Sequence, residues 1–534
     1  MKISLAQINP TVGDIQSNYR LIVKHAKIAE KSNAEILITP ELSICGYPPE
    51  DLLLNKDFIK ECNDALLSIA KKFPRLKIIV GHPRSLNGEL FNSASILYGG
   101  KIDLTYDKQI LPNYGVFDEK RYFQSGDKTL TFTHNSRKFG LLICEDIWVE
   151  GPIEKLSNVD YIICINASPY EIDKYETRIK ELKKRVSLNE CTLIYLNLIG
   201  GQDDLLFDGG SFIYNNKYGL IDRLEQFKSM NKVIDIKRFE KVGSIIGLRK
   251  LKSPIKILLN GLILALKDYL SKNSIKNVFI GLSGGIDSAV VLYIATQACK
   301  KENITTIMMP SPYTSKVSLE DAKKLTDNLA IVHKVKSITP LMKSFDKSLS
   351  SEFKNLPIDI TEENIQARIR GLLLMAYANK FNGIVLATSN KSEVAVGYST
   401  LYGDMVGGFS VLKDVPKTFV YKIAKEINRT NNIIPERILT RPPSAELSEN
   451  QTDQDNLPDY KVLDAIIDLY IEKNKSIKMI INEGYSAQEV RKVIKLIHMN
   501  EFKRRQTAPG PKVTHKAFGK DRRYPITSKY NPFI

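Results

Sequence analysis

Glu41, Lys108 and Cys144 lie far apart in the sequence, yet between them they supply a base, a cation and a nucleophile. Cys144 closes the apolar run Leu141-Leu142-Ile143 and is followed by Glu145-Asp146, so it stands at the end of a buried strand beside polar residues. Glu41 ends another short strand in Thr39-Pro40-Glu41-Leu42, and Lys108 lies in Tyr106-Asp107-Lys108-Gln109-Ile110-Leu111-Pro112. Together these residue types make an amidase. Glu41 takes the thiol proton, Cys144 attacks the amide carbon, and Lys108 stabilises the oxyanion and orients the carboxylate. No histidine stands in a comparable strand-end position, which argues against a Cys-His arrangement.

A second chemistry is written at Ile280-Gly281-Leu282-Ser283-Gly284-Gly285-Ile286-Asp287-Ser288-Ala289-Val290. An apolar strand leads into this glycine loop and a helix leads out. Glycines let the backbone approach a phosphate with its N–H groups turned inward, and the helix start adds positive partial charge. The lysine of a G-x-x-x-x-G-K-[ST] loop is missing, which excludes the kinase-like and GTPase-like nucleotide loop. Such a loop suits pyrophosphate, an anion that must be gripped and then released. Asp287 with Glu393 offers a carboxylate pair for the magnesium that accompanies ATP. Lys417 can neutralise charge accumulating on the phosphates. Arg368 and Arg370 are two apart on one helix and cannot both point the same way.

The elements that must carry these residues are legible as alternations of short strands and helices. In the first half, Lys2–Asn9, Glu35–Thr39, Lys77–Gly81, Ser93–Tyr98, Phe139–Cys144, Tyr161–Asn166, Thr192–Leu198 and Ser211–Tyr214 read as strands. Helical spacing marks 17–31, 57–72 and 174–190. Several strand pairs are close enough for hairpins, which predicts a mixed sheet and two sheets sandwiched between helices. A polar, basic stretch at 221–252 separates the halves. Helix Pro254–Ser271 opens the second half, with Ser253 as its cap and Pro254 in its first turn. Strands Val278–Leu282, Thr305–Met309 and Gly383–Thr388 then alternate with helices near 286–300, 318–330 and 361–381, as in a parallel sheet wound on both faces. Stretches 399–416 and 440–459 read as loops over its carboxyl edge, followed by helices near 460–473 and 486–499. The expected division is a first domain over 1–240, a linker over 241–260 and a second domain over 261–534.

Composition sets outer bounds. At 534 residues the chain is too long for one core; ordinary domain sizes suggest about three or four domains, and large enzyme domains make two equally natural. The formal charge of +17 favours anionic ligands, and a lysine-rich solvated surface accounts for such an excess equally well. No long basic arm is present, which weighs against a nucleic-acid tail. The six cysteines show neither paired zinc spacing nor a disulfide framework, so free thiols in a reducing compartment are expected. No signal-peptide core or bilayer-length apolar run is visible, and the expected location is the cytoplasm, with neither membrane nor nucleic acid as partner.

Pro40-Glu41-Leu42, Lys108 with Leu111-Pro112, and Cys144-Glu145-Asp146 resemble, in order and spacing, the three catalytic segments of the nitrilase superfamily. This resemblance covers roughly residues 1–240 and implies a nitrilase-like α-β-β-α sandwich with a Glu-Lys-Cys triad. Asn113-Tyr114-Gly115-Val116-Phe117-Asp118-Glu119 and Gly200-Gly201-Gln202-Asp203 look like the glutaminase branch. The likeness implies Tyr114, Trp148, Ser168 and Lys174 near a substrate glutamine, with Glu119 as a second carboxylate by the lysine.

The loop with Gly281, Ser283, Gly284, Gly285, Asp287 and Ser288 resembles that of the N-type ATP pyrophosphatases, an α/β class with a doubly wound, Rossmann-like parallel sheet of the adenine nucleotide alpha hydrolase kind. Within it, Pro310–Ser315, Thr388–Glu393, Leu401-Tyr402-Gly403-Asp404, Lys413–Lys417, Arg441–Leu447 and the tail Ala517–Pro525 look like NAD synthetases. That likeness implies that Thr388 touches ATP, that Asn364 and Arg368 border the dinucleotide, and that Asp404 lies on a loop over the acyl adenylate. Glu393 and Lys516 complete the implied dinucleotide contacts; members commonly carry arginine near position 516.

Joined, the two resemblances imply an enzyme that takes nitrogen from glutamine and uses ATP to convert deamido-NAD into NAD, with Mg2+ as the only cofactor. A dry passage for neutral ammonia and a homo-oligomer, octamer or dimer, are implied too. A tRNA-modifying ligase would use the same glycine loop, but it leaves the amidase triad without a task and lacks CxxC pairs or an RNA-binding appendage. A scaffold with one decayed half would show a broken triad or loop, and neither is broken.

Overall fold

Alternation within the first strands decides how the first half packs. Ile3, Leu5, Ile36, Ile38 and Ile79 point into one cluster, whereas Ala6, Leu37, Ile78 and Val80 point into another. Both faces of the sheet are therefore apolar, and both must be covered. The computed structural model describes residues 1–186, 191–236, 252–449 and 451–532, which divide into two compact units, Met1–Lys252 and Ser253–Ile534.

In the first unit, one sheet is built from β1 (Lys2–Gln7), β2 (Ile36–Ile38), β3 (Lys77–Leu86), β4 (Glu89–Tyr98) and β5 (Lys101–Asp107). The second is built from β6 (Leu130–His134), β7 (Arg137–Ile143), β8 (Tyr161–Asn166) and β9 (Thr192–Asn197). β10 (Ile199–Gln202) and β11 (Leu205–Asp208) form a separate hairpin. β12 (Phe212–Asn215) and β13 (Gly219–Arg223) extend the second sheet to the order β13-β12-β9-β8-β7-β6. β14 (Met230–Asp235) completes the first as β14-β1-β2-β3-β4-β5. Helices α1 (Ile15–Lys31) and α2 (Lys56–Lys72) cover the outer face of the first sheet through Ile22, Ala26, Leu66 and Ile69. Helix α3 (Lys174–Val186) packs Leu182 and Val186 against the second. This is the expected α-β-β-α sandwich.

The stretch 221–252 is not wholly a separator. Its first part forms the end of β13 and all of β14, and β14 pairs antiparallel with β1 from Lys2↔Asp235 to Gln7↔Met230. Edge strands with one solvated face carry polar residues, so their composition reads as a linker. Residues 237–251, which take in 241–251 of the expected linker, and 187–190 of the third expected helix lie outside the described residues.

The second unit begins with α4 (Pro254–Lys272), capped by Ser253 Oγ accepting from the Lys256 N–H at 3.3 Å. Its sheet runs β17-β16-β15-β18-β19, all parallel: β15 (Asn277–Gly281), β16 (Ile304–Met308), β17 (Val332–Val335), β18 (Gly383–Ala387) and β19 (Phe409–Ser410). Between them run α5 (Ile286–Ala298), α6 (Lys316–Leu329), α7 (Thr339–Phe353), α8 (Ile360–Lys380) and α9 (Lys391–Val396), and α10 (Lys417–Asn428) follows β19. Strand order reverses between β15 and β18, so the loops leaving their carboxyl ends face one crevice. α11 (Glu436–Thr440), α12 (Tyr460–Ile467), α13 (Ile477–Asn482), α14 (Ala487–Met499) and α15 (Glu501–Arg504) close the chain. α12 and α14 pack Leu463, Ile466, Val493 and Ile497 against Val394–Val396 of α9. All six cysteines are free.

Candidate active sites

In the first unit, Cys144 follows β7 directly and takes a left-handed backbone, φ 45°. A non-glycine residue there is strained, and the turn lifts the thiol off the strand's path. Glu41 follows β2, and Lys108 follows β5, with its N–H donating to Asn92 O at 2.8 Å. The Lys108 ammonium donates to Glu41 Oε1 at 2.7 Å and to Glu119 Oε1 at 2.8 Å. Lys108 and Glu41 are fully buried, and Glu119 is nearly so.

Every oxygen of Glu41 is engaged. Asn92 Nδ2 donates to Oε1 at 2.8 Å, and the Ala167 N–H donates to Oε2 at 2.8 Å. Tyr47 OH donates to Glu119 Oε1 at 2.9 Å. Burial works against the charge on Lys108, but Glu119 and Glu41 outweigh it and hold the ammonium well above its ordinary range. Burial pushes Glu119 up to about 7 despite the pull of Lys108. Burial and then the Glu41 charge push the Cys144 thiol well up, while Lys108 pulls it down. Burial thus favours the neutral thiol, and Glu41 and Lys108 pull on its charge in opposite directions.

Residues around this centre fall into place unequally. Tyr114 is largely exposed, and its hydroxyl donates to Glu145 Oε1, next to Cys144, at 3.0 Å. Trp148 is half-buried against the inter-sheet core. Ser168 is buried, with its N–H donating to Asn197 Oδ1 at 2.9 Å and its carbonyl accepting from Asn197 Nδ2 at 3.1 Å. Lys174 opens α3 and pairs with Glu171 at 3.3 Å. Asn92 and Tyr47 went unnoticed in the sequence because each reads as an ordinary strand or turn residue.

In the second unit, the loop after β15 turns through Gly284 at φ 78°, where an added Cβ would meet Ser318 O at 2.5 Å. Only glycine fits that approach. Ser283 Oγ accepts from the Gly285 N–H at 3.1 Å, and Ser288 Oγ donates to Gly285 O at 3.0 Å. Gly285 caps α5 without a side chain, leaving the helix start to an anion. Gly281 ends β15, and Thr388 follows β18 across the crevice.

Glu393 is set by a capping box at the start of α9: Asn390 Oδ1 accepts from the Glu393 N–H, and Glu393 Oε2 accepts from the Asn390 N–H. Asn390 Nδ2 also donates to Asp287 Oδ1 at 2.9 Å. Lys417 Nζ reaches Asp287 Oδ2 at 2.5 Å and Glu393 Oε1 at 3.2 Å. Burial pushes Glu393 up to about 8 against the pull of Lys417. Burial opposes the charge on Lys417, but Asp287 and Glu393 raise it. Lys417 N–H donates to Ser392 Oγ at 2.9 Å, and Ser392 in turn donates to Asp464. Asp287 Oδ2 and Glu393 Oε1 both turn toward the Lys417 ammonium, so the pair is closed on a lysine; carboxylate oxygens are the donor type that Mg2+ takes when substrate phosphates complete its shell. Among the described residues no group of three or more His, Cys, Asp or Glu could hold a metal. A protein-only cage is therefore not what this pair builds.

A second cluster gathers around the loop after α9. Thr400 Oγ1 donates to Asn364 Oδ1 at 2.8 Å, its N–H donates to Asp404 Oδ1 at 2.7 Å, and Arg368 Nε donates to Leu401 O at 3.2 Å. Asn364, Arg368 and Asp404 thus each bond to the Thr400-Leu401 turn, and burial pushes Asp404 up to about 6. Arg370 turns elsewhere, donating to Met309 O at 3.0 Å. The Lys516 carbonyl accepts from Lys391 Nζ at 3.0 Å, while its own ammonium has Arg522, Glu472 and Asp521 as charged neighbours.

Known proteins match both units. The family described as Carbon-nitrogen hydrolase matches residues 2–235, and NAD synthase matches residues 258–507. A glutamine-dependent NAD(+) synthetase of Acinetobacter baylyi is 44% identical over 540 residues, spanning 99% of this chain and 99% of that protein. A solved glutamine-dependent NAD+ synthetase from Acinetobacter baumannii, in complex with adenosine diphosphate, is 41% identical. It covers 98% of each chain at a TM-score of 0.80. One from Cytophaga hutchinsonii shares the fold at a TM-score of 0.83 with 23% identity, covering 99% of this chain and 98% of its own.

Proposed function

The chain belongs to the glutamine-dependent NAD(+) synthetase family, which are carbon–nitrogen ligases, and we propose how its residues divide that work. At the first centre Glu41 removes the Cys144 proton as the sulfur attacks the glutamine side-chain amide. The proton cannot leave earlier, because burial disfavours a free thiolate. Lys108 meets the developing oxyanion, and Glu119 keeps that ammonium charged and aimed. The C–N bond breaks, ammonia leaves with the proton from Glu41, and an acyl thioester remains on Cys144. Water, deprotonated by Glu41, then releases glutamate. Tyr114, Trp148, Ser168 and Lys174 shape the glutamine site.

At the second centre the nicotinate carboxylate of deamido-NAD attacks the α-phosphorus of ATP and expels pyrophosphate. Main-chain N–H groups of Ser283–Ser288 and the α5 start receive the pyrophosphate, and Lys417 offsets its charge. Asp287 and Glu393 would hold Mg2+, which when bound neutralises charge on the triphosphate. Thr388 contacts ATP. Asn364, Arg368, Glu393, Asp404 and Lys516 border the dinucleotide. Ammonia then attacks the acyl carbon and displaces AMP, giving NAD. Ammonia reaching this centre in a water-poor passage stays unprotonated and nucleophilic.

The observation that carries this reading is the placing of two buried lysines that each bridge two carboxylates, Lys108 beside a thiol and Lys417 beside a phosphate-type loop. Purified chain given deamido-NAD, ATP, Mg2+ and glutamine should yield NAD, AMP, pyrophosphate and glutamate, and thiol alkylation should stop the glutamine-driven reaction. Absence of both NAD and pyrophosphate would refute the reading.

We also propose a cytoplasmic homo-oligomer, dimer or octamer, without membrane or nucleic-acid partners. No described helix is long and apolar enough to cross a membrane. α7 has no buried residue, and Leu341, Phe345 and Phe353 on it stand exposed, as do Leu356, Ile358 and Ile360 just after it, apolar surface suited to a self-interface. Light scattering should give an oligomer mass, and a monomer would refute it.

A further inference from the structure

Asp146, two residues beyond Cys144, has no role in the mechanism above, yet it is fully buried and its carboxylate accepts four hydrogen bonds. Oδ1 receives the Gln109 N–H at 3.0 Å and the Ile110 N–H at 2.8 Å. Oδ2 receives Tyr106 OH at 2.8 Å and the Ile143 N–H at 3.1 Å. Three of these donors bracket Lys108, and the fourth belongs to the residue before Cys144. One side chain therefore joins the segment that delivers the cation to the turn that delivers the sulfur.

We propose that Asp146 is the positioning residue of the amidase centre, the buried carboxylate that sets where the Lys108 ammonium stands relative to the Cys144 sulfur. This rests on the amidase reading of that centre. On its other side the Lys108 backbone is held by Asn92 O at 2.8 Å and by the Gly126 N–H at 2.8 Å. Without Asp146 the Lys108 segment keeps its own sheet and the Gln109 side-chain bonds to Lys128 O and Lys155 Nζ, but loses its tie to the turn that carries the nucleophile. The Ile143 N–H bond also closes the left-handed turn at Cys144, where strain must be held by its surroundings. Charge matters as well as shape. All four partners are donors, so an amide in this place turns its own N–H groups toward a donor and leaves at least one buried N–H unpaired.

The test is Asp146→Asn in the full chain, assayed with glutamine and, separately, with ammonium as nitrogen source. A misplaced cation lowers turnover more than binding, so kcat with glutamine should fall about a hundredfold while KM for glutamine changes less than about threefold. Ammonium-driven synthesis should be retained, which separates positioning from general loss of fold. Retention of kcat within about twofold, or equal loss with both nitrogen sources, would overturn the proposal. If the variant does not fold, Tyr106→Phe decides. It removes one of the four bonds, and Gln109 Nε2, which also donates to the Tyr106 hydroxyl, keeps Lys128 O at 3.3 Å; kcat with glutamine should fall several-fold at unchanged KM, and unchanged kcat would overturn the proposal. Cys144→Ala in parallel separates the two layers: if that variant still uses glutamine, the amidase reading itself fails.

Discussion

Lys417 and Asp287, 130 residues apart in sequence, meet at 2.5 Å across the mouth of the glycine loop. Lys417 is nearly inaccessible, and the same ammonium reaches Glu393 at 3.2 Å. Strand order brings them together: Asp287 opens the helix after β15, and Glu393 opens the helix after its neighbour β18.

Lys417→Met should leave two carboxylates facing each other with no cation between them. Both are partly open to solvent, so the loss of stability should sit at the low end of the range for broken buried pairs, about 3 kcal/mol. NAD synthesis should be lost with either nitrogen source. Urea melts together with the ammonium-driven assay check both; wild-type stability with full activity would count against the role given to Lys417.

Gly284→Ala places a methyl group 2.5 Å from Ser318 O in a left-handed backbone. The conformation alone costs about 1–2 kcal/mol, and relief of the clash must move the loop away from α6. ATP affinity measured by calorimetry should fall at least about tenfold, while glutaminase activity at Cys144 stays.

Glu119 supplies a pH signature. Burial holds its carboxyl up to about 7, against 4.5 in the open chain. Over that interval the folded chain binds more protons than the unfolded one, so stability is fullest below about 4.5 and declines as pH rises through about 7. Glu119→Gln removes this decline. The variant should therefore gain stability relative to wild type between about pH 5 and about pH 7 in parallel denaturation curves. Its glutamine turnover should drop above about pH 7, where Glu119 is the second anionic partner of Lys108.

The chemistry was legible in the sequence where a polar residue interrupts an apolar run. Glu41 and Cys144 stand just past the ends of their strands, and Asp287 stands in the first turn of the helix after the glycine loop, the places where α/β proteins put their sites. Their supports were not. Asn92 sits within β4, just before the strand the sequence suggested, and Tyr106 within β5, which the sequence did not suggest as a strand; only tertiary pairing shows Asn92 holding Glu41 and Tyr106 holding Asp146. Asp146 was visible in the Cys144-Glu145-Asp146 string, but nothing local shows that three of its four partners lie more than thirty residues away. Among the elements, β14 hid in a basic stretch because an edge strand buries few residues. α7 left no core signature because none of its residues is buried. Lys516 shows the reverse: the tail pattern was readable, yet its side chain keeps company with Arg522, Glu472 and Asp521, leaving the dinucleotide contact to experiment.

The most direct test of the whole account is NAD formation by Cys144→Ala, measured side by side with glutamine and with ammonium. Division of labour between a thiol centre and an adenylating centre predicts that glutamine-driven synthesis disappears while ammonium-driven synthesis continues near the wild-type rate. Persistence of glutamine use, or loss of both reactions together, would contradict it.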